Sequence, residues 1–351
     1  MRGELQGEVR GEVRRDLRAL PKAHLHLHFT GSLRPATLRE LAAQHGVRLP
    51  DTLALVDSSH PPELRATDER GWFRFQRLYD AARSVIRTEA DVRRLLLEAA
   101  EDDRSEGSGW LEIQVDPTTY ATWLGGLTPA VEIILDAARA AAAATGVGIG
   151  VIIAANRTRH PLDARTLARL AARHADAGVV GFGLSNDERR GVTEEFAPAF
   201  RIAARAGLLA APHGGELAGP GSVRTCLDAL GARRIGHGVR AADEPALLDR
   251  LAAEEVTLEV CPTSNVRLGV FDTAADVPLT RIRRAGVPVA LGADDPLLFG
   301  SRLLHQYVLA REVHGCSDAE LAELARCSVR ASCAPASIRS RLLAGIDSWL
   351  R

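Results

Sequence analysis

Lysine is almost absent from this chain, and neither sign of charge dominates it. Lys22 is the only lysine, so arginine supplies nearly all of the positive charge, and the formal net charge is −1. Proteins that bind nucleic acid usually present a strongly basic face. The composition therefore gives no indication of a nucleic-acid partner.

Cysteine and long apolar runs are also scarce. The 5 cysteines are odd in number and no two have CxxC spacing, which argues against a disulfide framework and against a thiolate zinc site. No segment reaches the roughly 20 apolar residues of a membrane span, and the first residues lack the apolar stretch of a secretory signal. We therefore expect a cytoplasmic protein without a membrane partner.

The start of the chain differs in composition from the rest. Its sequence, MRGELQGEVRGEVRRDLR, alternates charges and carries no apolar core. We interpret residues 1–18 as a charged N-terminal extension. Residues 19–351 are expected to form a single domain.

Short apolar runs alternate with helical segments along that domain. The runs end in polar residues or glycine, and they are AHLHLHF, WLEIQVDP, GVGIGVIIAAN, GVVGFGLSND, GLLAAPHGGE, RRIGHG, VTLEVCPTSN and VPVALGADD. This alternation predicts parallel βαβ units of the α/β class, and eight strands predict a closed (β/α)8 TIM barrel. A doubly wound open sheet is the alternative, although no run leads into a GxGxxG turn. Residues 33–107 are predicted to be a helical lid inserted after the first strand.

Ionisable side chains collect where the predicted strands end. Catalytic groups of such barrels lie at the carboxyl ends of the strands. In HLHLHFTGSL the histidines alternate, so they share one face of the first strand. The polar residues at the strand ends are His26 and His28 (first), Asn186 (fourth), His213 and Glu216 (fifth), His237 (sixth), and Asp294 and Asp295 (eighth).

Three imidazoles and a carboxylate at converging strand ends suit a catalytic zinc ion. His26, His28 and His213 are predicted to supply nitrogen ligands and Asp294 an oxygen ligand, with water in the remaining position. Zinc lowers the pKa of bound water to about 7. The fourth run contains no lysine, which excludes a lysine-bridged pair of metals, so we expect one Zn²⁺ per chain.

The remaining polar residues are candidates for acid–base work. His237 would orient or deprotonate the water, Glu216 would donate a proton if burial raises its pKa, and Asp295 would hold the substrate. Each also has a structural interpretation: a core histidine, a helix cap, and a turn before a helix. His24, at the inner end of the first strand, is interpreted as structural.

Taken together, the motifs resemble the adenosine deaminase family of the amidohydrolase superfamily. The resemblance runs from PKAHLHLHFTGSLRPATL through GLSNDE, HGGE, IGHG and CPTSN to GADDP. It implies that zinc-bound hydroxide attacks C6 of a 6-aminopurine, while Glu216 protonates N1 and His237 positions the hydroxide. Asp295 would bind N7, the backbone N–H of Asn186 would bind N3, and His28 would adjoin the substrate. Ammonia leaves and a 6-oxopurine remains.

Two positions depart from the usual family pattern. Asn186 stands where glycine is usual, and Thr30 stands where a carboxylate commonly holds the ribose 5′-hydroxyl. A neutral threonine removes a repulsion of order 1–4 kcal/mol toward an anionic 5′ substituent. The HxHFTGS segment is similar to that of the aminodeoxyfutalosine deaminases of menaquinone biosynthesis. This resemblance implies 6-amino-6-deoxyfutalosine as the main substrate and adenosine as a weaker one.

Arginines of the insertion are candidates to meet the carboxylate of such a substrate. They are Arg70, Arg74 and Arg77, each of which would otherwise lie on a solvated helix face. Two alternatives remain open: an adenosine deaminase of purine salvage, and an inactive barrel that acts as a binding protein. For either enzyme the expected partner is a small-molecule adenine nucleoside, and the sequence is compatible with a homo-oligomer.

Overall fold

A single parallel sheet organises the computed structural model, which describes residues 14–57, 61–62 and 64–351. Within these residues eight strands pair in sequential order. They are β1 (Lys22–His28), β2 (Ser108–Val115), β3 (Gly148–Asn156), β4 (Val179–Ser185), β5 (Leu209–Gly214), β6 (Arg234–His237), β7 (Thr257–Val260) and β8 (Val289–Leu291).

The first strand meets the segment after the last strand and closes the barrel. The backbone N–H of His28 donates to the carbonyl of Asp294 at 2.9 Å, and the N–H of Asp294 donates to the carbonyl of His26 at 3.0 Å. Leu27 and Asp294 form a parallel bridge. The predicted (β/α)8 architecture is therefore confirmed, and the open-sheet alternative is wrong because its two edges are joined here.

Helices connect the strands and cover the outside of the barrel. They are α1 (Pro35–Gln44), α2 (Asp51–Ala54), α3 (Glu69–Arg83), α4 (Glu89–Ser105), α5 (Leu127–Thr145), α6 (Pro161–Arg173), α7 (Ala197–Arg205), α8 (Pro220–Leu230), α9 (Pro245–Ala253), α10 (Pro262–Arg267), α11 (Leu279–Arg284), α12 (Pro296–Phe299), α13 (Leu303–Glu312), α14 (Asp318–Ala331) and α15 (Ala336–Leu350). The first four lie between β1 and β2, so the predicted helical insertion after the first strand is confirmed. Its proposed limits at residues 33 and 107 stay predictions.

Local signals start the two long helices of the insertion. The Asp68 side chain accepts the backbone N–H of Gly71 at 2.5 Å and caps α3. A reciprocal capping box between Thr88 and Asp91 opens α4. Such caps satisfy backbone donors that have no partner within the helix. The cap of α4 lets it begin after a connection of only five residues, 84–88, from the end of α3.

Charged side chains cross the interior of the barrel. Arg234 on β6 lies 2.5 Å from Glu112 on β2 and 2.7 Å from Glu259 on β7. The other carboxylate oxygen of Glu259 lies 2.7 Å from Nδ1 of His26. All four side chains are buried, and buried charges are tolerated when they are paired. These linked contacts hold the ring of His26 through its Nδ1 atom.

The N-terminal segment packs against the end of the chain. Arg15 donates to the carbonyls of Trp349 and Leu350, both at 2.7 Å, and Leu17 is buried. Residues 1–13 of the predicted charged extension lie outside the described residues, and its limit at residue 18 stays a prediction. No helix in the described part of the chain is both long and apolar enough to cross a membrane.

Replacing Arg234 with methionine tests the buried charges. The variant leaves Glu112 and Glu259 without their shared cation, so we expect the free energy of unfolding to fall by about 3–5 kcal/mol. Arg250→Met is the matched control, because Arg250 pairs with Asp228 and Glu254 at the surface and such pairs contribute at most about 1 kcal/mol. Urea unfolding measures both, and equal losses would contradict the interpretation.

Candidate active site

A cleft of about 720 Å³, counted to its open mouth, lies at the carboxyl ends of the strands. Its base consists of side chains that follow β1, β5, β6 and β8. Its upper wall consists of α3, which contributes Trp72, Phe75, Gln76, Tyr79 and Arg83. The insertion therefore covers the mouth of the barrel, as a lid would.

His26 turns one ring nitrogen toward the base of the cleft. Its Nδ1 contacts Glu259, which leaves Nε2 at 3.4 Å from Oδ1 of Asp294. These two atoms are buried and have no hydrogen-bond partner among the described residues. Burial alone would lower the pKa of His26, but the nearby carboxylates of Asp294 and Glu259 raise it to about 10, and a divalent cation bound at Nε2 would take the place of that proton. A buried orphan nitrogen facing an orphan carboxylate oxygen suits a cation between them.

The other imidazoles face the same point. Nε2 of His28 and Nε2 of His213 are 3.2 Å apart. Ligand atoms of a tetrahedral zinc ion, at about 2.0–2.1 Å from it, lie roughly 3.3–3.4 Å from one another. Burial and the neighbouring imidazoles His26, His28 and His237 hold the pKa of His213 well below its usual value, so His213 is neutral and available as a ligand.

The donor atoms form two overlapping groups. The ligand atoms of His26, His213, His237 and Asp294 all lie within 4.8 Å of one another, and His28, Asp294 and Asp295 form the second group. Asp294 belongs to both. Six of the expected residues thus meet at one place, and their mixture of nitrogen and carboxylate donors fits a divalent ion of the zinc type.

Asp294 is held in an unusual backbone conformation. Its φ is +63°, in the left-handed region that residues other than glycine rarely adopt. Ser264 donates to its Oδ2 at 2.6 Å. Burial would raise the pKa of Asp294, but His28, His26 and His237 hold it well below its usual range. The carboxylate is therefore ionised beside the three imidazoles.

Glu216 and His237 form an acid–base pair beside this centre. Oε1 of Glu216 lies 3.6 Å from Nε2 of His237. Burial, Asp294 and Glu188 raise the pKa of Glu216 well above its usual value, which favours its protonated form. Burial lowers the pKa of His237 to about 3, so this ring is neutral. The Asn265 amide, 3.3 Å from Nδ1, fixes the ring so that Nε2 faces the cleft.

Sequence reasoning missed Glu188, which shapes the loop that carries Glu216. The Glu188 carboxylate accepts backbone N–H groups from Glu216 at 2.9 Å, Leu217 at 2.7 Å and Ala218 at 3.0 Å, and it also contacts Gly215 and Ser222. A buried carboxylate with several N–H donors is strongly stabilised. The available signal was its place in the SNDE segment that follows β4.

Asp295 lies on the other side of the cleft. Its Oδ2 is 3.4 Å from Nδ1 of His28, and its Oδ1 has no hydrogen-bond partner in the part of the chain that is described. Burial and Asp294 raise its pKa. A Cβ atom at position 31 would overlap the Asp295 side chain. The glycine that ends the histidine run is therefore required to make room for this aspartate.

Comparison with known proteins agrees with this geometry. The sequence profile described as "Adenosine deaminase" matches residues 21–349. This chain belongs to the adenosine deaminase family. It is a metal-dependent deaminase of the amidohydrolase superfamily, so the interpretation as an inactive binding barrel is wrong.

Individual relatives carry several names. A Streptomyces coelicolor protein provisionally named adenosine/adenine deaminase is 68% identical over 94% of this chain and 97% of that protein. An aminodeoxyfutalosine deaminase of the same organism is 37% identical over 95% of this chain and 85% of that protein. The crystal structure of an adenine deaminase from Arthrobacter aurescens has a TM-score of 0.85 at 32% identity, covering 94% and 99% of the two chains.

The two positions that depart from the family pattern occupy different places. Asn186 lines the cleft with a φ of +82°, and its Nδ2 donates to Oε1 of Gln76 on α3 at 3.2 Å. Thr30 is buried behind the wall of the cleft, where its hydroxyl lies 2.5 Å from that of Tyr120. Tyr120, and not Thr30, lines the cleft. The expected direct contact of Thr30 with a substrate therefore has no geometric support.

The three candidate arginines of the insertion lie on a solvated helix face, which was the alternative interpretation of each. Arg70, Arg74 and Arg77 are exposed on the outer face of α3. Arg83, six residues beyond Arg77, lines the cleft instead. The helical phase explains the difference, because α3 turns Trp72, Phe75, Gln76, Tyr79 and Arg83 inward and the other face toward water.

Proposed function

We propose that this enzyme hydrolyses the 6-amino group of adenine or adenosine, releasing ammonia and leaving hypoxanthine or inosine. One observation supports this most strongly: a buried glutamic acid with a raised pKa, a histidine with a lowered pKa and unpartnered metal-ligand atoms converge at the base of one cleft. That set combines an acid for the purine ring with a site where water can be activated. The names of the relatives agree with this chemistry.

Four residues would hold one Zn²⁺ ion: His26, His28, His213 and Asp294. The spacings of 3.4 Å between His26 and Asp294 and of 3.2 Å between His28 and His213 support this set. A bound zinc ion would lower the pKa of its water to about 7 and so supply a nucleophile at neutral pH. Glu259 would fix the His26 ring through Nδ1, in the manner of a carboxylate–histidine pair behind a metal.

The residues around this centre would divide the proton transfers between them. His237 would orient the water through Nε2, which faces the cleft, and burial keeps its ring neutral. Glu216 would donate a proton to N1 of the purine, since burial raises its pKa and favours the protonated form. Proton transfer of this kind makes N1 positive in character and C6 more open to attack by water.

Two further residues would orient the purine ring. N7 is an acceptor, so Asp295 would need its proton to bind it, and the raised pKa of Asp295 supports that state. The backbone N–H of Asn186 would bind N3. Together with Glu216 at N1, these residues would bind three ring nitrogens. Since N7 belongs to the second ring of a purine, such a site would select a purine over a pyrimidine.

The far end of the cleft supports a neutral substituent or none. Arg83 and Asp116 both line it, together with the aromatic side chains Tyr79 and Tyr120. The Arg83 guanidinium already contacts Asp80 at 3.3 Å and Thr119 at 3.2 Å. Asp116 would repel an anionic group by an energy of order 1–4 kcal/mol. The hydroxyl groups of a ribose, by contrast, could hydrogen-bond to the Asp116 carboxylate and to the tyrosine hydroxyls.

We therefore propose adenine or adenosine as the main substrate, in place of the aminodeoxyfutalosine that the sequence resemblance implies. That expectation rested on the neutral Thr30, which lies behind Tyr120, and it did not include the charge of Asp116. The relatives point the same way. Streptomyces coelicolor has both a 68% identical adenosine/adenine deaminase and a 37% identical aminodeoxyfutalosine deaminase, and this chain resembles the former far more closely.

A comparison of four substrates tests whether adenine or adenosine is preferred to anionic adenine derivatives. We expect kcat/KM for adenine or adenosine to exceed that for AMP and for 6-amino-6-deoxyfutalosine by about tenfold or more, because Asp116 repels their anionic groups. The absorbance change from adenine to hypoxanthine chromophores measures all four. Asp116→Asn should narrow the gap and serves as the matched variant. A clear preference for the futalosine substrate would contradict the proposal.

Replacing Glu216 with glutamine tests the assigned acid. Glutamine retains the shape but cannot transfer a proton to N1, so we expect kcat to fall by about 10²–10⁴-fold. Zinc content, measured by elemental analysis, should stay unchanged because Glu216 is not a ligand. Glu255→Gln, at an exposed position, is the control. Substantial activity in Glu216→Gln would show that another group is the acid.

Two histidine variants test the ligand set. His28 is a proposed ligand and His237 is not, although the His237 ring lies within the group of close donor atoms. We expect zinc affinity to fall by more than about 100-fold in His28→Ala, because a direct ligand matters more than its outer-shell supports. His237→Ala should retain the metal and lose turnover. If His237→Ala lost zinc and His28→Ala retained it, His237 would be the metal ligand and His28 would not.

A further inference from the structure

His24, the first of the alternating histidines of β1, is buried below the cleft. Its Nδ1 lies 2.9 and 3.2 Å from the two carboxylate oxygens of Asp103 on α4. Its Nε2 accepts the backbone N–H of Ala293 at 3.1 Å. Because an N–H group donates to Nε2, the ring proton is on Nδ1 and is donated to Asp103. The tautomer of His24 is therefore fixed by its two neighbours.

Ala293 immediately precedes the two aspartates of the cleft. The backbone there is closely confined, because a Cβ atom at Gly292 would come within 2.6 Å of Cβ of His26 and 3.0 Å of Sγ of Cys261. Asp294 then adopts its left-handed φ of +63°. A conformation of this kind persists only when the surrounding contacts determine it.

β1 supplies three of those contacts from alternate residues. The His24 ring accepts the N–H of Ala293, the His26 carbonyl accepts the N–H of Asp294 at 3.0 Å, and the His28 N–H donates to the carbonyl of Asp294 at 2.9 Å. The last two are ordinary contacts between parallel strands. Only the first depends on a particular side chain, so it is the contact that substitution can remove.

We propose that His24 is a positioning residue for the metal centre. Through the N–H of Ala293 it sets the backbone that aims Asp294 at the metal and Asp295 at the substrate, while Asp103 fixes its tautomer. The inference rests on the proposed function, because it assumes that Asp294 is a zinc ligand. It also connects the insertion with the base of the cleft, because Asp103 on α4 contacts His24, which lies 79 residues earlier in the chain.

Two substitutions at position 24 distinguish the contact made by Nε2 from the contact made by Nδ1. Glutamine places an acceptor near the position of Nε2, whereas asparagine reaches only the position of Nδ1. His24→Asn should therefore leave the Ala293 N–H unsatisfied and weaken zinc binding by about 10–100-fold, as loss of an outer-shell contact does. His24→Gln should change zinc affinity by less than about threefold. Competition with a chromogenic chelator measures both without an activity assay.

A spectroscopic readout and a control accompany these variants. In the cobalt-substituted protein, the d–d absorption should shift in His24→Asn and stay near that of the unaltered chain in His24→Gln, because ligand geometry changes only in the former. His305→Asn, at an exposed position on α13, should leave both measurements unchanged.

The outcomes decide the inference in each case. Unchanged zinc affinity in His24→Asn, or equal losses in His24→Asn and His24→Gln, would overturn it. Should neither variant fold, Asp103→Leu decides, since it removes the acceptor of the Nδ1–H group: a loss of zinc affinity supports the inference and an unchanged affinity overturns it. An unaltered chain that binds no zinc would refute the metal centre itself, and the inference with it.

Discussion

The pairing of β1 with the backbone of Asp294 is the interaction on which the site depends. It closes the barrel, and closure brings residues from positions 26 to 295 to one edge. The same hydrogen bonds place the Asp294 side chain beside the histidines of β1. Without them the sheet would have two free edges, and the carboxylate would have no fixed position relative to His26 and His28. Fold and site therefore share one contact.

Burial acts on every ionisable group at the base of the cleft, but its effect on each pKa depends on the neighbours. Burial and nearby carboxylates raise the pKa values of Glu216 and Asp295, which favours their protonated forms. Imidazoles hold the pKa of Asp294 low against the same desolvation. Carboxyl groups in one small volume thus divide into proton donors and an ionised group, and this division is what general acid catalysis beside a metal requires.

The sequence predicted the architecture, and with it the convergence of the candidate residues at one edge of the barrel, because both depend on local periodicity. Alternating runs and helical segments define a (β/α)8 barrel, and its strand ends are then known to converge. Glu188, Glu259 and Arg234 were missed because their roles arise from pairs distant along the chain, which periodicity does not reveal. The contact of Thr30 with Tyr120 was not foreseen for a similar reason, since Tyr120 comes from beyond β2.

The lining of the cleft separates chemistry from specificity. The groups that would activate water and protonate the purine follow barrel strands, whose positions are fixed by hydrogen bonds between neighbours. Tyr79 and Arg83, which would face the substituent of the purine, come instead from α3. One step along a helix rotates a side chain by about 100°. That difference explains why Arg83 lines the cleft while Arg77 does not. A change in the phase or position of α3 would alter the substituent that fits while the base of the cleft stays the same. The charges elsewhere in the lining, on Arg83 of α3 and on Asp116 after β2, would then determine which adenine derivative fits, rather than the proposed metal ligands.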